Sequence, residues 1–415
     1  MDWNKKSERK KMGAVGLVLL LLLCTVAGCG KKEKKEETTK ETFCAAASMF
    51  DCWSGRAFCD KGMLQVENGV MIFYEYETGR SYPLCSDVYC EHQPYDASEN
   101  PDPVCEATMR ELETACIYGD YVYTIQQTEI QEITIQERNL NESGYRVVAK
   151  LPYCQTFSSQ GFNAIIGDKA YLLLAEIDNL TDDGVAQSYT SNDLYTFLVE
   201  LDLKTGEYRT LFHIEGEEKY KILQTVYTEE GIYCRCYYED IVAEETSFTL
   251  NDYWEKFYYV SYDGSQVKEL CPELTEATTF RSGVLPEITV VGISETGVYF
   301  LNTEMTKVEC IGYDNKRETV FELPEGYTRL KINGISGNKM LMTLTTSGKS
   351  SKLAGLDLVT GELLMCDKTD DFIYTALCEE AFWKSCEGEM GMYKELWIYQ
   401  DIFSEDGKPL LSVIE

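Results

Sequence analysis

The chain of 415 residues carries 70 acidic against 38 basic side chains, a formal charge of −32, with 17 cysteines and only 2 histidines. A surface this negative repels phosphate backbones, which argues against nucleic acid as a partner and suits neutral or cationic ligands, divalent metals or plain solubility. The length admits one large domain or two smaller ones.

At the N-terminus, Lys5, Lys6, Arg9, Lys10 and Lys11 precede an apolar run from Ala14 to Cys24. Positive residues, a run too short to span a bilayer comfortably, and then small residues form the order of an export signal. The run leads into Val26-Ala27-Gly28-Cys29, which resembles the lipobox of bacterial lipoproteins. That resemblance covers these few residues. It implies cleavage before Cys29, a thioether-linked diacylglycerol on its sulfur, and a domain held at the cell membrane on the extracytoplasmic side. Two acyl chains anchor stably where one is marginal. An ordinary signal peptide with a nearby cysteine, or an uncleaved N-terminal helix, is the alternative. Residues 1–28 therefore read as a signal peptide. Residues 29–42, with Lys31-Lys32-Glu33-Lys34-Lys35-Glu36-Glu37 and no aromatic, read as a lipidated cysteine and a flexible tether whose lysines suit anionic lipid. Residues 1–28 hold five basic and two acidic groups, so the mature chain carries about −35.

From residue 43 to 415 the sequence is rich in Tyr, Val, Ile, Thr and Phe and shows no long helical period, so the expected class is all-β. A turn pair followed by alternating apolar residues recurs seven times. The copies start at Asn68-Gly69, Gly119-Asp120, Gly167-Asp168, Glu230-Gly231, Thr296-Gly297, Gly337-Asn338 and, most weakly, Glu379-Glu380. Each is followed by a second turn: Thr78-Gly79, Ser143-Gly144, Thr205-Gly206, Asp263-Gly264, Asp314-Asn315, Thr360-Gly361 and Asp406-Gly407. Such pairs supply the positive φ of tight hairpins. Two hairpins make a four-stranded unit, and units repeated in this way bury both faces only when packed side by side around an axis.

The expectation is a single β-propeller over residues 43–415, most simply of seven blades, with six or eight compatible with the same spacing. A tandem two-sheet sandwich is the rival, but uniform phrasing without a linker after Thr42 favours one domain. The first unit lacks a clear second hairpin, and a C-terminal strand over Pro409–Ile414 is expected to complete it. Asp202-Leu203-Lys204-Thr205-Gly206-Glu207 and Asp357-Leu358-Val359-Thr360-Gly361-Glu362 resemble the blade phrasing of propeller lipoproteins from Gram-positive, clostridial-type anaerobes. The likeness spans most of the mature chain, is architectural, and implies no assigned activity.

Cys85, Cys90, His92 and Cys105 form a C-x4-C-x-H-x12-C pattern that takes in one of the two histidines. Three thiolates and an imidazole suit one tetrahedral zinc, and four protein ligands would make it structural. Disulfides among the three cysteines, with His92 a bystander, are the competing reading for an exported chain. The resembled lipoproteins often carry a similar patch near their first blade. Of the others, Cys234 and Cys236 share one face of a strand, Cys378 and Cys386 flank a hairpin, Cys44, Cys52 and Cys59 crowd the start of the domain, and Cys154, Cys271 and Cys310 fit small buried hydrophobes.

No nucleophile elbow, zinc-protease motif or phosphate loop is present, and His213 has no nucleophile near it in sequence. Asp182-Asp183, Glu217-Glu218, Glu229-Glu230 and Asp370-Asp371 lie at expected turns, where solvation explains them. Trp254 with Tyr253, Phe257, Tyr258 and Tyr259 suits either a groove or a blade core. The expected role is a non-enzymatic binding or scaffolding module for a protein, peptide or glycan. The alternative is a carboxylate-dependent glycoside hydrolase or lyase acting on extracellular glycans.

Overall fold

Seven antiparallel sheets follow one another along the chain, each built from consecutive strands. The computed structural model describes residues 45–46, 57–58, 61–96, 98–109, 114–129, 132–140, 144–154, 161–177, 191–216, 218–243, 248–348, 350–366, 381–388 and 391–414. The export signal, Cys29, the tether, Cys44, Cys52, Cys59, Cys378, Asp182-Asp183, Glu217, Asp370-Asp371 and the seventh turn pair Glu379-Glu380 lie outside these residues.

Blade one comprises β1 (Ala45–Ala46), β2 (Ala57–Phe58), β3 (Gly62–Glu67), β4 (Val70–Glu75) and β5 (Ser81–Pro83). Blade two holds β6 (Thr114–Tyr118), β7 (Tyr121–Glu129), β8 (Glu132–Asn139) and β9 (Arg146–Leu151). Blade three holds β10 (Gly161–Ile166), β11 (Lys169–Ile177), β12 (Leu194–Asp202) and β13 (Tyr208–Phe212). Blade four comprises β14 (Lys221–Tyr227), β15 (Ile232–Ala243), β16 (Phe248–Val260), β17 (Val267–Leu270) and a short β18 (Phe280–Arg281). Blade five is β19 (Ile288–Ile293), β20 (Gly297–Asn302), β21 (Lys307–Gly312) and β22 (Arg317–Glu322). Blade six is β23 (Tyr327–Ser336), β24 (Lys339–Thr346), β25 (Ser351–Asp357) and β26 (Leu363–Cys366). Blade seven shows β27 (Ala381–Gly388), β28 (Gly391–Ile398) and β29 (Leu411–Ile414) among the described residues.

Burial explains the composition of each strand. Middle strands touch a neighbouring blade on both faces, so β11 is buried without interruption from Ala170 to Ala175 and β12 from Thr196 to Leu201. Fourth strands are sheet edges, and β13, β17 and β22 begin with exposed residues, Tyr-Arg-Thr, Val-Lys-Glu and Arg-Glu-Thr. Charge on such an edge discourages pairing with another chain. A cross-strand ion pair recurs there: Arg146 with Glu137, Arg209 with Glu200 and Arg317 with Glu309, each bidentate.

The Asp-x-x-Thr-Gly turns are built alike. Asp202 Oδ1 accepts from the N–H groups of Lys204 and Thr205 at 3.0 and 2.9 Å, while Gly206 N–H donates to Asp202 O at 2.8 Å with φ +76°. Asp357 makes the same bonds to Val359, Thr360 and Gly361. In blade one the equivalent bond runs from Gly79 N–H to Glu75 O, between β4 and β5. Thr78-Gly79 is therefore the turn between third and fourth strands. Asn68-Gly69 sits between second and third, one strand later than the first turns of the other blades.

This phase corrects the expected completion of blade one. The C-terminal strand β29 pairs with β28, Leu396 opposite Leu411 and Tyr393 opposite Ile414, and so finishes blade seven. The ring closes instead through side chains. Met63 and Tyr74 of blade one share a core with Ala381, Trp383 and Leu396 of blade seven. Trp383 Nε1 lies 2.7 Å from Met63 Sδ, and its ring meets Tyr74 edge-on at 5.4 Å. Similar cores join blades six and seven, five and six, four and five, and three and four, while one larger core unites blades one to three. With every seam packed, the fold is a seven-bladed β-propeller. First strands of successive blades lie side by side around the hub, as β6 beside β10 and β19 beside β23. Strand β1 continues inward from β2 and runs alongside β10.

Candidate metal centre and candidate binding surface

The segment from Leu84 to Met109 connects blade one to blade two and carries the Cys/His pattern. Both its arms are held by a single residue of β4: Leu84 N–H donates to Met71 O at 2.9 Å, and Met71 N–H donates to Ala107 O at 2.7 Å. Met109 N–H donates to Gly69 O at 2.7 Å. Fixing the two arms on neighbouring groups closes the loop and brings Cys85 next to Cys105. Within it, Asp87 caps a turn through Cys90 N–H to Asp87 O and Tyr89 N–H to Asp87 Oδ1. The stretch before Cys105 folds back through reciprocal backbone bonds between Asp96 and Asn100, with Asn100 Nδ2 donating to Pro94 O.

The result places all four expected residues together. The sulfurs of Cys85, Cys90 and Cys105 and a ring nitrogen of His92 lie within 4.8 Å of one another. Cys105 Sγ is 3.5 Å from His92 Nδ1, and His92 takes a left-handed backbone, φ +50°. Cys105 is buried and the other three are half-buried. All three cysteines are free thiols in the structure. Burial alone pushes the Cys105 thiol up, but bonds from His92, Thr108 and the Ala107 N–H outweigh it and hold it at about 7. For Cys90 the His92 N–H pulls downward, and desolvation with the adjacent Cys105 and Cys85 overrides it, to about 11.

Two residues that the spacing did not reveal brace the cluster. Glu106 follows Cys105, and its Oε2 accepts from Ser86 N–H at 3.2 Å, Ser86 Oγ at 2.7 Å and Arg138 Nη1 at 3.3 Å. Arg138, only 2% exposed on β8, also donates from Nη2 to Leu84 O at 2.6 Å. A charged side chain in the interior of a strand was the available signal; its partners are more than thirty residues away in sequence.

A second feature stands out in blade four. Strands β15 and β16 are 12 and 13 residues long, and their pairing continues to Ala243 opposite Phe248. β14 pairs β15 only as far as Tyr237, and β17 pairs β16 only from Phe257 to Val260. Beyond those points the two strands form a ribbon whose further strand partner, among the described residues, is β18 at Asp252 and Tyr253. Asn192 supports it by bonds to Asp240 and to both backbone groups of Ile241. Tyr238 stacks on Trp254 at 4.3 Å, Tyr237 on Tyr253 at 5.8 Å, and Arg281 lies over Trp254. Val242 and Leu250, further out, are exposed.

The aromatic set read from the sequence is thus divided by strand alternation. Phe257 and Tyr259 pack toward blade five and Trp254 and Tyr258 toward blade three, while Tyr253 and Trp254 also lie where β16 runs into the ribbon. Cys234 and Cys236 share the buried seam between blades three and four, where burial raises both thiols. Cys154, Cys271, Cys310 and Cys386 are likewise buried. His213 packs on Phe197 and lies 4.0 Å from Glu215. Glu229 and Glu230 are exposed at their turn.

No protein-family model and no curated protein matches the sequence. Solved structures match at low identity. A prolyl endopeptidase matches at 10% identity over 90% of this chain and 48% of its own, with a TM-score of 0.47. The acylaminoacyl peptidase of Pyrococcus horikoshii matches at 12% over 88% and 52%, TM-score 0.46. An oligogalacturonate lyase solved with manganese matches at 9% over 83% and 87%, TM-score 0.41. The chain spans about half the length of the peptidases it matches.

Proposed function

We propose that the chain is a bacterial lipoprotein, cut before Cys29 and held by acyl chains on the outer face of the cell membrane, whose propeller is a non-enzymatic binding module for a protein, peptide or glycan. The ribbon of blade four carries the binding reading. Its outer part is unsupported by β14 and β17 and bears paired aromatics below exposed Val242 and Leu250. Half-buried aromatic rings beside exposed apolar side chains are a surface that peptides and sugars use. The anchor reading rests on the basic residues, the apolar run and Val26-Ala27-Gly28-Cys29.

Two experiments test this. The full chain is used to probe a glycan array and to capture partners from cell-envelope extracts, beside Trp254→Ala and Val242→Asp variants. Ligands retained by the wild type and lost by both variants support the ribbon; equal capture by all three refutes it. Labelling of expressing cells with a palmitate analogue is expected to mark the wild type and leave Cys29→Ala unmarked.

A further inference from the structure

We infer that Cys85, Cys90, His92 and Cys105 bind one Zn2+ in a closed tetrahedral site that fastens the connection between blades one and two. The donor chemistry is that of a structural zinc: three sulfurs and one imidazole, with no fifth position for water or substrate. The spacing agrees. Zinc bonds of roughly 2.3 Å to sulfur and 2.0–2.1 Å to nitrogen imply donor separations of ~3.5–3.8 Å at the corners of a tetrahedron. The 3.5 Å between Cys105 and His92 matches that edge, and the 4.8 Å limit on the remaining separations is within a small side-chain adjustment of it.

Independent support comes from what the loop lacks. Its large apolar residues point to solvent: Val88 is 87% exposed, Tyr89 91% and Val104 98%. Leu84 and the stretch from Cys105 to Met109 enter the core of blades one to three, and between them the residues packed against that core are two of the ligands themselves, Cys85 and Cys90. The middle therefore gains little from burying large apolar side chains, and beyond its hydrogen bonds a metal held by the cysteines would be its main fastening. The neighbours of the ligands are also arranged for one. Ser86 follows Cys85 and Glu106 follows Cys105, and the bond between Ser86 Oγ and Glu106 joins the two ligand arms. Arg138 then ties Glu106 and Leu84 to blade two. Such outer contacts fix ligand direction in metal sites. Zinc binding displaces the thiol protons to solvent and leaves the sulfurs unoxidised.

Full-length chain purified under reducing conditions is expected to contain one zinc per molecule. Replacement by cobalt is expected to give the thiolate charge-transfer and intense visible bands of a tetrahedral sulfur-rich site. Cys85→Ser and Cys105→Ser should lose the metal, while His92→Cys should retain it with an altered cobalt spectrum. In the wild type, where folding of a variant is not at issue, chelation should speed proteolysis within residues 84–109 at least tenfold and leave cleavage of the blade-four ribbon unchanged. Less than a tenth of a zinc per chain with no cobalt spectrum overturns the site. So does a disulfide among these three cysteines in protein alkylated directly from cells. Metal loss without faster cleavage of the loop overturns its fastening role.

Discussion

Trp383→Ala tests whether the ring is closed where the packing says it is. The indole is 2% exposed, reaches across the seam to Met63 and meets Tyr74 edge-on. Removing a buried Trp side chain costs about 3–5 kcal/mol, through lost burial and the cavity left behind. At about 1.4 kcal/mol per factor of ten, that is roughly two to nearly four powers of ten in the opening equilibrium. Because Trp383 is the hinge pin of one seam, the loss should fall on both blades that flank it. Amide hydrogen exchange on the full chain is the assay. Amides of β3 and β4 in blade one and of β27 and β28 in blade seven should exchange faster together, while β20 and β21 in blade five hold their protection. Acceleration confined to blade seven, or uniform across all blades, would show that the two ends of the propeller are not coupled through this contact.

Three other perturbations follow from local chemistry. Asp202 is held down to about 2, first by the Thr205 N–H and then by Lys169. A carboxylate lowered on folding stabilises fully above its unfolded value near 4 and loses that contribution as pH falls through about 2. Asp202→Asn should therefore melt below the wild type at pH 7, and the gap should close between pH 4 and pH 2 in a thermal series. Arg235 and Glu255 form a buried bidentate pair at 2.6 and 2.8 Å, so Arg235→Met leaves a buried carboxylate without its counter-charge, held by the Tyr253 hydroxyl, and should cost about 3–5 kcal/mol in urea denaturation. Replacing both partners with apolar residues should recover most of that loss. Gly206→Ala should lower the melting temperature by several degrees, since φ is +76° and a Cβ would sit 2.3 Å from Val148 O of the neighbouring blade.

The sequence disclosed what local chemistry determines. Thr205-Gly206 and Thr360-Gly361 are legible because the Asp side chain, the Thr and the glycine build the turn within five residues. Asn68-Gly69 is equally good turn chemistry, with φ of 49° and 76°, but nothing local says which two strands it joins. That depends on β2 lying toward the hub, a contact made with blade two, and so blade one was read one strand out of phase. The assignment of Pro409–Ile414 to blade one failed for the same reason. Spacing brought out Cys85, Cys90, His92 and Cys105, yet Met71, which holds both arms of their loop, looks like any core methionine. The ribbon was hidden because the stretch between the two turns of blade three is longer still, so length alone does not separate extended strands from a loop.

A propeller whose described residues clasp blade one to blade seven by side chains depends on blade seven in a particular way. Leu410 packs under blade one, its carbonyl 2.7 Å from where a Cβ on Gly79 would stand, and Leu411 joins the core around Met63. Those residues leave the ribosome after every other blade has been made. Until the strands of blade seven arrive with Trp383, Met63 and Tyr74 are uncovered, so a nascent chain carries an apolar flank on blade one, open to whatever holds unfinished chains.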